Sequence, residues 1–316
     1  MDEKGNPPPE AAPERTHASG GSQDSLATRA FGAQPPQAQG TPEVGETVDD
    51  FLLMDRLGAG AFATVYLAHQ RSMRRTVALK VSETQDAEAQ TLAQLDHPNI
   101  VRVYDQRGVP ERGVHLVWME YLPGGTLEEL VRQARPEASG ERSGRLLLRV
   151  VDEVLAQRSI KPPSDSLLRD AYKASSWPET VCRIGAQLAE ALDYAHGQGV
   201  LHRDVKPGNV LLGANGRARL ADFNVSSAAA VADASDAEAS LGGSIAYMPP
   251  EQLEACSATH PRTADALDGR SDLYALGVLL WELLTGRRPL PEQPRADDEE
   301  DGDLLEALGR ARREPY

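Results

Sequence analysis

The sequence is poor in cysteine, in positive charge and in long apolar runs. Its 316 residues include two cysteines, Cys182 and Cys256, which lie far apart and form no CxxC motif. Disulfide-rich and zinc-binding domains need clustered cysteines, so neither class is expected here. A reducing cytoplasm is the expected location.

Acidic residues outnumber basic ones, 48 to 33, which gives a formal net charge of −15. Such a surface repels phosphate backbones and anionic membranes, so nucleic acid is not an expected partner. The first residues are acidic and Pro-rich, without the features of a signal peptide. The longest apolar runs, such as residues 276–280, are too short to span a bilayer, and no membrane segment is expected within this chain.

Changes in composition divide the chain into three parts. Residues 1–47 are dominated by Pro, Gly, Ala, Ser, Gln and Glu. Too few large apolar side chains are present there to offset the entropy of ordering, which predicts a disordered tail. Residues 48–122 contain short β-type runs separated by turns, which predicts a small antiparallel sheet. Residues 123–316 are mainly helical in pattern, and the run at 272–286 is so apolar that a buried helix is expected.

The stretch LGAGAFATVYLA, residues 57–68, predicts a Gly-rich hairpin. A dinucleotide-binding turn would lead from a strand into a helix, whereas here β-type residues resume at once, for example at Val65. Gly58 and Gly60 let the backbone approach a phosphate, and Ala63 stands where a third glycine is usual.

Lys80 ends the β-type run VALK. Alone, a lysine at the end of a strand is a solvated edge charge. Glu88, however, shares a predicted helical face with Leu92, and an ion pair from Glu88 would hold the ammonium against phosphate oxygens. Glu83 is the competing partner, but it lies off that face.

The stretch LHRDVKPGNVLL, residues 201–212, combines three kinds of polar group. Asp204 can act as a base, Lys206 as a counter-charge for phosphate and Asn209 as a metal ligand. A turn capped by Asp and Asn would not require the lysine. Asp222, in the later stretch RLADFNVSS, adds a second acidic group.

With these motifs in this order, the chain resembles bacterial Hanks-type serine/threonine protein kinases from about Phe51 to Pro289. The resemblance implies an α+β, two-lobed protein-kinase fold with a small antiparallel sheet and one helix in the N-lobe (48–122). The C-lobe (123–316) would be larger and mostly helical. Family members continue through further helices, so the C-lobe is expected to be truncated.

The resemblance also implies transfer of the γ-phosphoryl group of ATP to a protein serine or threonine, with ATP and Mg²⁺ as cofactors. Asp204 would be the catalytic base with Lys206 beside it, Lys80 would pair with Glu88, and Asn209 and Asp222 would bind the metal. The implied ATP-binding residues are Leu57, Gly58, Gly60, Val65, Ala78, Lys80, Met119, Glu120, Leu122 and Leu211. The implied hydrophobic spine is Leu92, Val103, His202 and Phe223.

Two further implications of the resemblance concern positioning and specificity. Asp272 would bond the backbone of the catalytic loop. Lys206 and Ser244 favour serine or threonine over tyrosine as the acceptor. Protein substrates carrying these hydroxyls are therefore the expected partners.

The chain departs from the family pattern at Asn224, where glycine is usual. Asparagine tolerates the left-handed region better than most residues, so catalysis is expected to survive. The alternative interpretation is a pseudokinase that serves as an ATP-binding or docking module.

Arg203 is of the kind that receives an activation-loop phosphate in this family. The candidate phosphosites are Ser226, Ser227, Ser235 and Ser240. Permanent charge from Asp233, Asp236 and Glu238 is the alternative. Residues 135–176 form an insertion with no family role, interpreted either as a docking surface for a partner or as a surface elaboration.

Overall fold

The computed structural model describes residues 42–60, 63–83, 92–135, 140–223, 242–257, 260–289 and 304–313. The smaller lobe is built on one antiparallel sheet of six strands in the order β1-β2-β3-β4-β6-β5. The strands are β1 (Thr47–Val48), β2 (Phe51–Ala59), β3 (Ala63–Gln70), β4 (Arg75–Ser82), β5 (Val103–Val109) and β6 (Val114–Met119). The predicted small antiparallel sheet is confirmed, while most of the predicted helix after Ser82 lies outside the described residues.

The two faces of this sheet have different roles because successive side chains of a strand alternate between faces. On β4, Leu79 and Val81 pack with Phe51 and Trp118 in the core of the smaller lobe. Ala78 lies on the opposite face, with Met119 and Ala221. This second face is directed toward the larger lobe and provides one wall of the site described below.

The described structure starts before the tail boundary predicted at residue 47. The hydroxyl of Tyr66 donates to the backbone oxygen of Pro42 at 2.5 Å, and the amide of Gly45 donates to the oxygen of Leu53. These bonds attach residues 42–46 to strands β2 and β3.

The described part of the larger lobe contains seven α-helices and a two-stranded ribbon. The helices are α1 (Leu127–Ala134), α2 (Gly144–Gln157), α3 (Leu167–Ala174), α4 (Trp177–Gly197), α5 (Pro250–Cys256), α6 (Gly269–Thr285) and α7 (Leu304–Ala311). The ribbon consists of β7 (Val210–Leu212) and β8 (Ala218–Leu220). None of the helices in these ranges is both long enough and apolar enough to cross a membrane.

Helices α4 and α6 cross at the centre of the larger lobe, where Ile184, Leu188, Leu279 and Leu283 are fully buried. A Cβ at Gly185 would lie 3.0 Å from the Leu280 side chain, so the glycine allows the two helices to approach closely.

Helix α6 is only partly buried, contrary to expectation. Leu273 and Trp281 are each 52% exposed and Leu284 is 39% exposed. These residues share one stripe of the helix, and that stripe is exposed to solvent. The prediction is right for the opposite face, where Leu279 and Leu283 are fully buried.

The described part of the insertion, residue 135 and residues 140–176, folds into the lobe. Leu147, Val150, Val151 and Leu155 of α2 are fully buried and belong to the main core cluster. From α3, Arg169 is 6% exposed and binds Asp152 of α2 at 2.7 Å and the Ala214 backbone oxygen at 2.9 Å. The interpretation of this segment as a surface elaboration is therefore wrong for α2, which is part of the core.

Candidate active site

A buried aspartate in the first turn of α6 anchors the loop that follows α4. Asp272 is 2% exposed, and its carboxylate accepts hydrogen bonds from the backbone amides of His202 at 2.8 Å and Arg203 at 2.7 Å. His196 Nε2 lies 2.7 Å from the same carboxylate. Burial raises the pKa of Asp272, but these hydrogen bonds outweigh burial and hold the pKa below its usual value. The ionised carboxylate therefore fixes the loop backbone.

Two residues of the site have the left-handed backbone that favours glycine. Arg203 has a φ of 62° and Asp222 a φ of 52°. Such a conformation costs on the order of 1–3 kcal/mol for a residue with a side chain and persists only where the surroundings enforce it. The bond from Arg203 to Asp272 and the bond from the Ala221 amide to the Asn209 oxygen, at 2.9 Å, provide that restraint.

The loop side chains form one hydrogen-bonded network. Oδ2 of Asp204 accepts from Lys206 Nζ and from Asn209 Nδ2, each at 2.8 Å. Asn209 Nδ2 also donates to the Asp204 backbone oxygen at 2.9 Å. Lys206 donates to the hydroxyl of Ser244 at 2.6 Å. The network fixes the orientation of the Asp204 carboxylate, which can accept a proton from a nearby hydroxyl.

Lys80 of β4 and Asp222, just beyond β8, meet across the two lobes. Lys80 Nζ lies 4.0 Å from Asp222 Oδ1. Because Lys80 is two residues from Ala78, it shares the sheet face that is directed toward the larger lobe. The side chain of Asp222 is 49% exposed. The structure thus brings Lys80, Asp204, Asn209 and Asp222 into one region, as the motifs predict.

His202 and Phe223 form the apolar support beneath this region. Their ring centroids lie 4.4 Å apart, and both residues are almost fully buried. His202 Nδ1 accepts from the Asp204 amide at 3.3 Å, so Nε2 carries the proton and donates to the Ala221 oxygen at 3.1 Å. Burial lowers the pKa of His202, which keeps the imidazole neutral. Leu92, Val103 and Phe223 line a small cavity beside Lys80.

A larger cavity of about 270 Å³ opens between the sheet and the larger lobe. Eight of the predicted ATP-binding residues line it: Leu57, Gly58, Val65, Ala78, Met119, Glu120, Leu122 and Leu211. Gly60 lies outside the lining and forms the hairpin turn, its amide donating to the Ala63 oxygen at 2.8 Å. Lys80 lines the adjoining small cavity instead. The apolar walls suit a flat heterocycle, and Asp222 is part of the lining.

The sequence did not predict that the insertion also lines this cavity. Val154 of α2 and Arg158, directly after α2, are both part of the lining. The amphipathic pattern of residues 145–158 predicts a helix but does not indicate where that helix packs. The family resemblance provides no template for the segment.

Several predicted residues lie outside the described ranges. They are Glu88, Asn224, Ser226, Ser227, Ser235 and Ser240. Glu83, the rival partner of Lys80, is exposed directly after β4.

A metal ion at this site would have few protein ligands. Within the described ranges, no group of three or more His, Cys, Asp and Glu side chains is arranged to hold a metal. Because Asn209 uses Nδ2 to bond Asp204, its Oδ1 is the amide atom available to a cation, beside the Asp222 carboxylate. Mg²⁺ is typically held by one or two carboxylates together with substrate phosphates and water. The donors present fit a magnesium ion that arrives with a nucleotide.

Comparison with known proteins agrees with this arrangement. Residues 51–307 match the family model described as protein kinase domain. A probable serine/threonine-protein kinase of Streptomyces coelicolor is 32% identical over 247 residues, which cover 74% of this chain and 30% of that protein. PknB of Mycobacterium leprae is 30% identical over 254 residues (76% of this chain, 33% of PknB). PrkC of Bacillus subtilis is 30% identical over 244 residues (74% of this chain, 30% of PrkC).

The chain spans about a third of the length of these curated relatives. The family model nevertheless covers most of the chain, and the two-lobed α+β architecture agrees with it. This chain belongs to the protein kinase family.

Proposed function

We propose that the chain is an ATP-dependent serine/threonine protein kinase, which transfers the γ-phosphoryl group of MgATP to a hydroxyl of a protein substrate. The observation that supports this is the proximity of the Asp204 network to the Lys80–Asp222 pair, which the bond from the Ala221 amide to the Asn209 oxygen joins, with Asp222 part of the lining of the apolar cavity. A base, a phosphate counter-charge and metal ligands are the groups that phosphoryl transfer requires.

Each side chain has a role that follows from its position. Asp204, oriented by Lys206 and Asn209, accepts the proton of the acceptor hydroxyl. Lys80 would hold phosphate oxygens, and Asn209 and Asp222 would hold the magnesium ion. The metal, when bound, neutralises charge on the phosphates. The apolar cavity walls exclude water from the nucleotide base.

The bond from Lys206 to Ser244 supports the proposal that the phosphoryl acceptor is a hydroxyl group of a protein substrate. It ties the 3₁₀ segment Gly242–Tyr247 to the catalytic loop. Gln252 of α5 strengthens the same connection, since its side-chain amide donates to the Arg203 oxygen at 2.6 Å. A substrate segment lying along this surface would present its hydroxyl close to Asp204.

The test compares the unsubstituted chain with Asp204→Asn in a phosphorylation assay with labelled ATP and a generic basic protein. Loss of the base should lower the labelling rate by about 10²–10⁴-fold, while nucleotide binding measured by calorimetry persists. Asp193→Asn, an exposed carboxylate on α4, is the matched control and should label at the unsubstituted rate.

The same assay decides between an enzyme and a pseudokinase. If the unsubstituted chain and Asp204→Asn label equally while both bind ATP, the enzyme interpretation fails and a nucleotide-binding module remains.

A further inference from the structure

We propose that the insertion forms a wall of the nucleotide site and that Arg158 is a positioning residue that links the two lobes across the cavity mouth, slowing nucleotide release. This inference rests on the proposed function, because it assumes that a nucleotide occupies the cavity. It assigns a role to residues 135–176, for which the family offers none.

The end of α2 is placed at the cavity by close packing. Val154 and Arg158 are four residues apart and therefore share one side of the helix, and both line the cavity. Gly125, in the turn before α1, has a φ of +84°, and a Cβ there would lie 3.1 Å from Val154. Any residue but glycine would be strained and crowded at this position. The insertion thus lies directly against the turn that connects the lobes.

The turn after α2 is fixed by its own hydrogen bonds. The amide of Ile160 donates to the oxygen of Leu155 at 2.9 Å, and that of Ser159 to the oxygen of Ala156 at 3.0 Å. This pair of bonds is the Schellman motif, which needs a left-handed residue after the cap. Ser159 occupies that position with a φ of 57° instead of the usual glycine. The motif fixes the direction of the backbone at Arg158, whose side chain lines the cavity.

The side chain of Arg158 reaches two elements that flank the mouth. Its guanidinium lies 3.6 Å from the Asp55 carboxylate on β2, the strand that leads into the Gly-rich hairpin. It also lies 5.6 Å from the ring centroid of Tyr121, just after β6. Asp55 belongs to the smaller lobe and Arg158 to the larger one. Arg158 lines the cavity, whereas Asp55 is 61% exposed and lies outside the lining, so the ion pair joins the two lobes at the edge of the cavity.

The wall to which Arg158 belongs is rigid enough to act as a support. Arg169 holds α2 to α3 through Asp152, and Gln133 of α1 donates to Glu153 of α2 at 2.9 Å. When β2 is held toward this wall, the Gly-rich hairpin stays over the phosphates. Breaking the pair frees β2 to move outward, and the rate of nucleotide release rises.

The expected effect on nucleotide release depends on how far the side chains of the ion pair are exposed to solvent. The side chains are 28% exposed for Arg158 and 61% for Asp55, so the pair is partly screened by solvent. The contact with Tyr121 adds a cation–π contribution. We expect Arg158→Ala to raise the ADP release rate and the KM for ATP by about three- to tenfold, without a decrease in kcat.

The experiment measures ADP release by stopped-flow chase, KM and kcat for ATP, and thermal stability on the purified full chain. The variants are Arg158→Ala, Asp55→Ala, the double variant and the charge swap Asp55→Arg with Arg158→Asp. Asp55 lies on β2, so Asp55→Ala removes the ion pair without changing the sequence of α2. This variant therefore tests the same ion pair from the smaller lobe. Arg145→Ala, an exposed arginine on α2, is the matched control.

The proposal expects both single variants to release ADP faster, the double variant to resemble them, the charge swap to restore slow release and the control to be unchanged. Wild-type release rates in both single variants, or a double-variant effect equal to the product of the single effects, would overturn it. If the unsubstituted chain bound no nucleotide at all, the proposed function would fail as well, and that result is distinct from normal binding with an unchanged release rate.

Discussion

Helix α6 carries two buried carboxylates with different kinds of partner. Asp272, near its start, accepts two backbone amide bonds from the catalytic loop and lies against His196. Glu282, near its end, is 1% exposed and binds charged side chains, with Arg135 at 2.7 Å and Arg288 at 3.3 Å.

The two carboxylates therefore have different roles, one at the loop that carries Asp204 and the other between structural elements. Asp272 fixes the backbone of the loop that carries Asp204. Glu282 also accepts a hydrogen bond from the Tyr247 hydroxyl at 2.5 Å. Burial is the main cause that raises the pKa of Tyr247, and the neighbouring Glu282 carboxylate is the second. Glu282 thereby joins the end of α6 to the start of the insertion and to the segment before α5. We expect loss of Asp272 to impair catalysis and loss of Glu282 to impair stability.

The largest effect is expected for Asp272→Ala. The amides of His202 and Arg203 would lose their acceptor while remaining in the protein interior, which costs about 1–3 kcal/mol for each group. Arg203 would also lose the restraint on its left-handed backbone. We therefore expect a destabilisation of roughly 2–5 kcal/mol and a decrease in kcat of at least about 10²-fold, measured by urea unfolding and labelled-ATP assays.

Asp272→Asn sharpens this test, because the amide oxygen can still accept one of the backbone bonds. Its kcat should lie between those of the alanine variant and the unsubstituted chain. A kcat near the unsubstituted value in Asp272→Ala would show that the loop does not depend on this anchor.

A smaller effect on catalysis is expected for Glu282→Ala. Removal of one partner from a buried ion pair costs about 3–5 kcal/mol, but Arg135 is 49% exposed and can regain water. We expect a destabilisation of about 2–3 kcal/mol and a kcat within about threefold of the unsubstituted chain. Urea unfolding and steady-state kinetics measure the two quantities.

Glu190→Ala, an exposed glutamate on α4, is the matched control and should change neither quantity. A kcat for Glu282→Ala as low as that of Asp272→Ala would remove the distinction between the two carboxylates.

The same contrast shows how far the sequence predicts the site. Asp272, Asp204, Asn209 and Asp222 lie in short motifs, and the resemblance assigned roles to them from those motifs. The β-type run VALK predicted a strand, and the strand then placed Lys80 on the face toward the cavity.

The contacts of Glu282 and Arg158 were not predictable by the same reasoning. Glu282 and Arg135 are separated by 147 positions in the sequence, and no periodic pattern links them. The turn at Ser159 lacks the glycine that usually indicates a helix end. The position of α2 depends on tertiary packing against Gly125 and Tyr172, which a local pattern does not encode.

The smallest effect concerns acid stability and again involves Asp272. Its pKa in the folded chain lies below the usual value, so it contributes stability that is present above its unfolded pKa, about 3.9. That contribution is lost as the pH falls from the unfolded pKa through the lower, folded pKa. Over this range the carboxyl group is already protonated in the unfolded chain but still ionised in the folded chain. In Asp272→Asn the contribution is missing at every pH. The difference in unfolding free energy between the two proteins, measured by urea unfolding, should therefore shrink as the pH falls below about 4. A difference that grew in this acidic range would mean that the carboxylate is protonated more easily in the folded chain, and the anchor would then be a neutral acid instead of an ionised one.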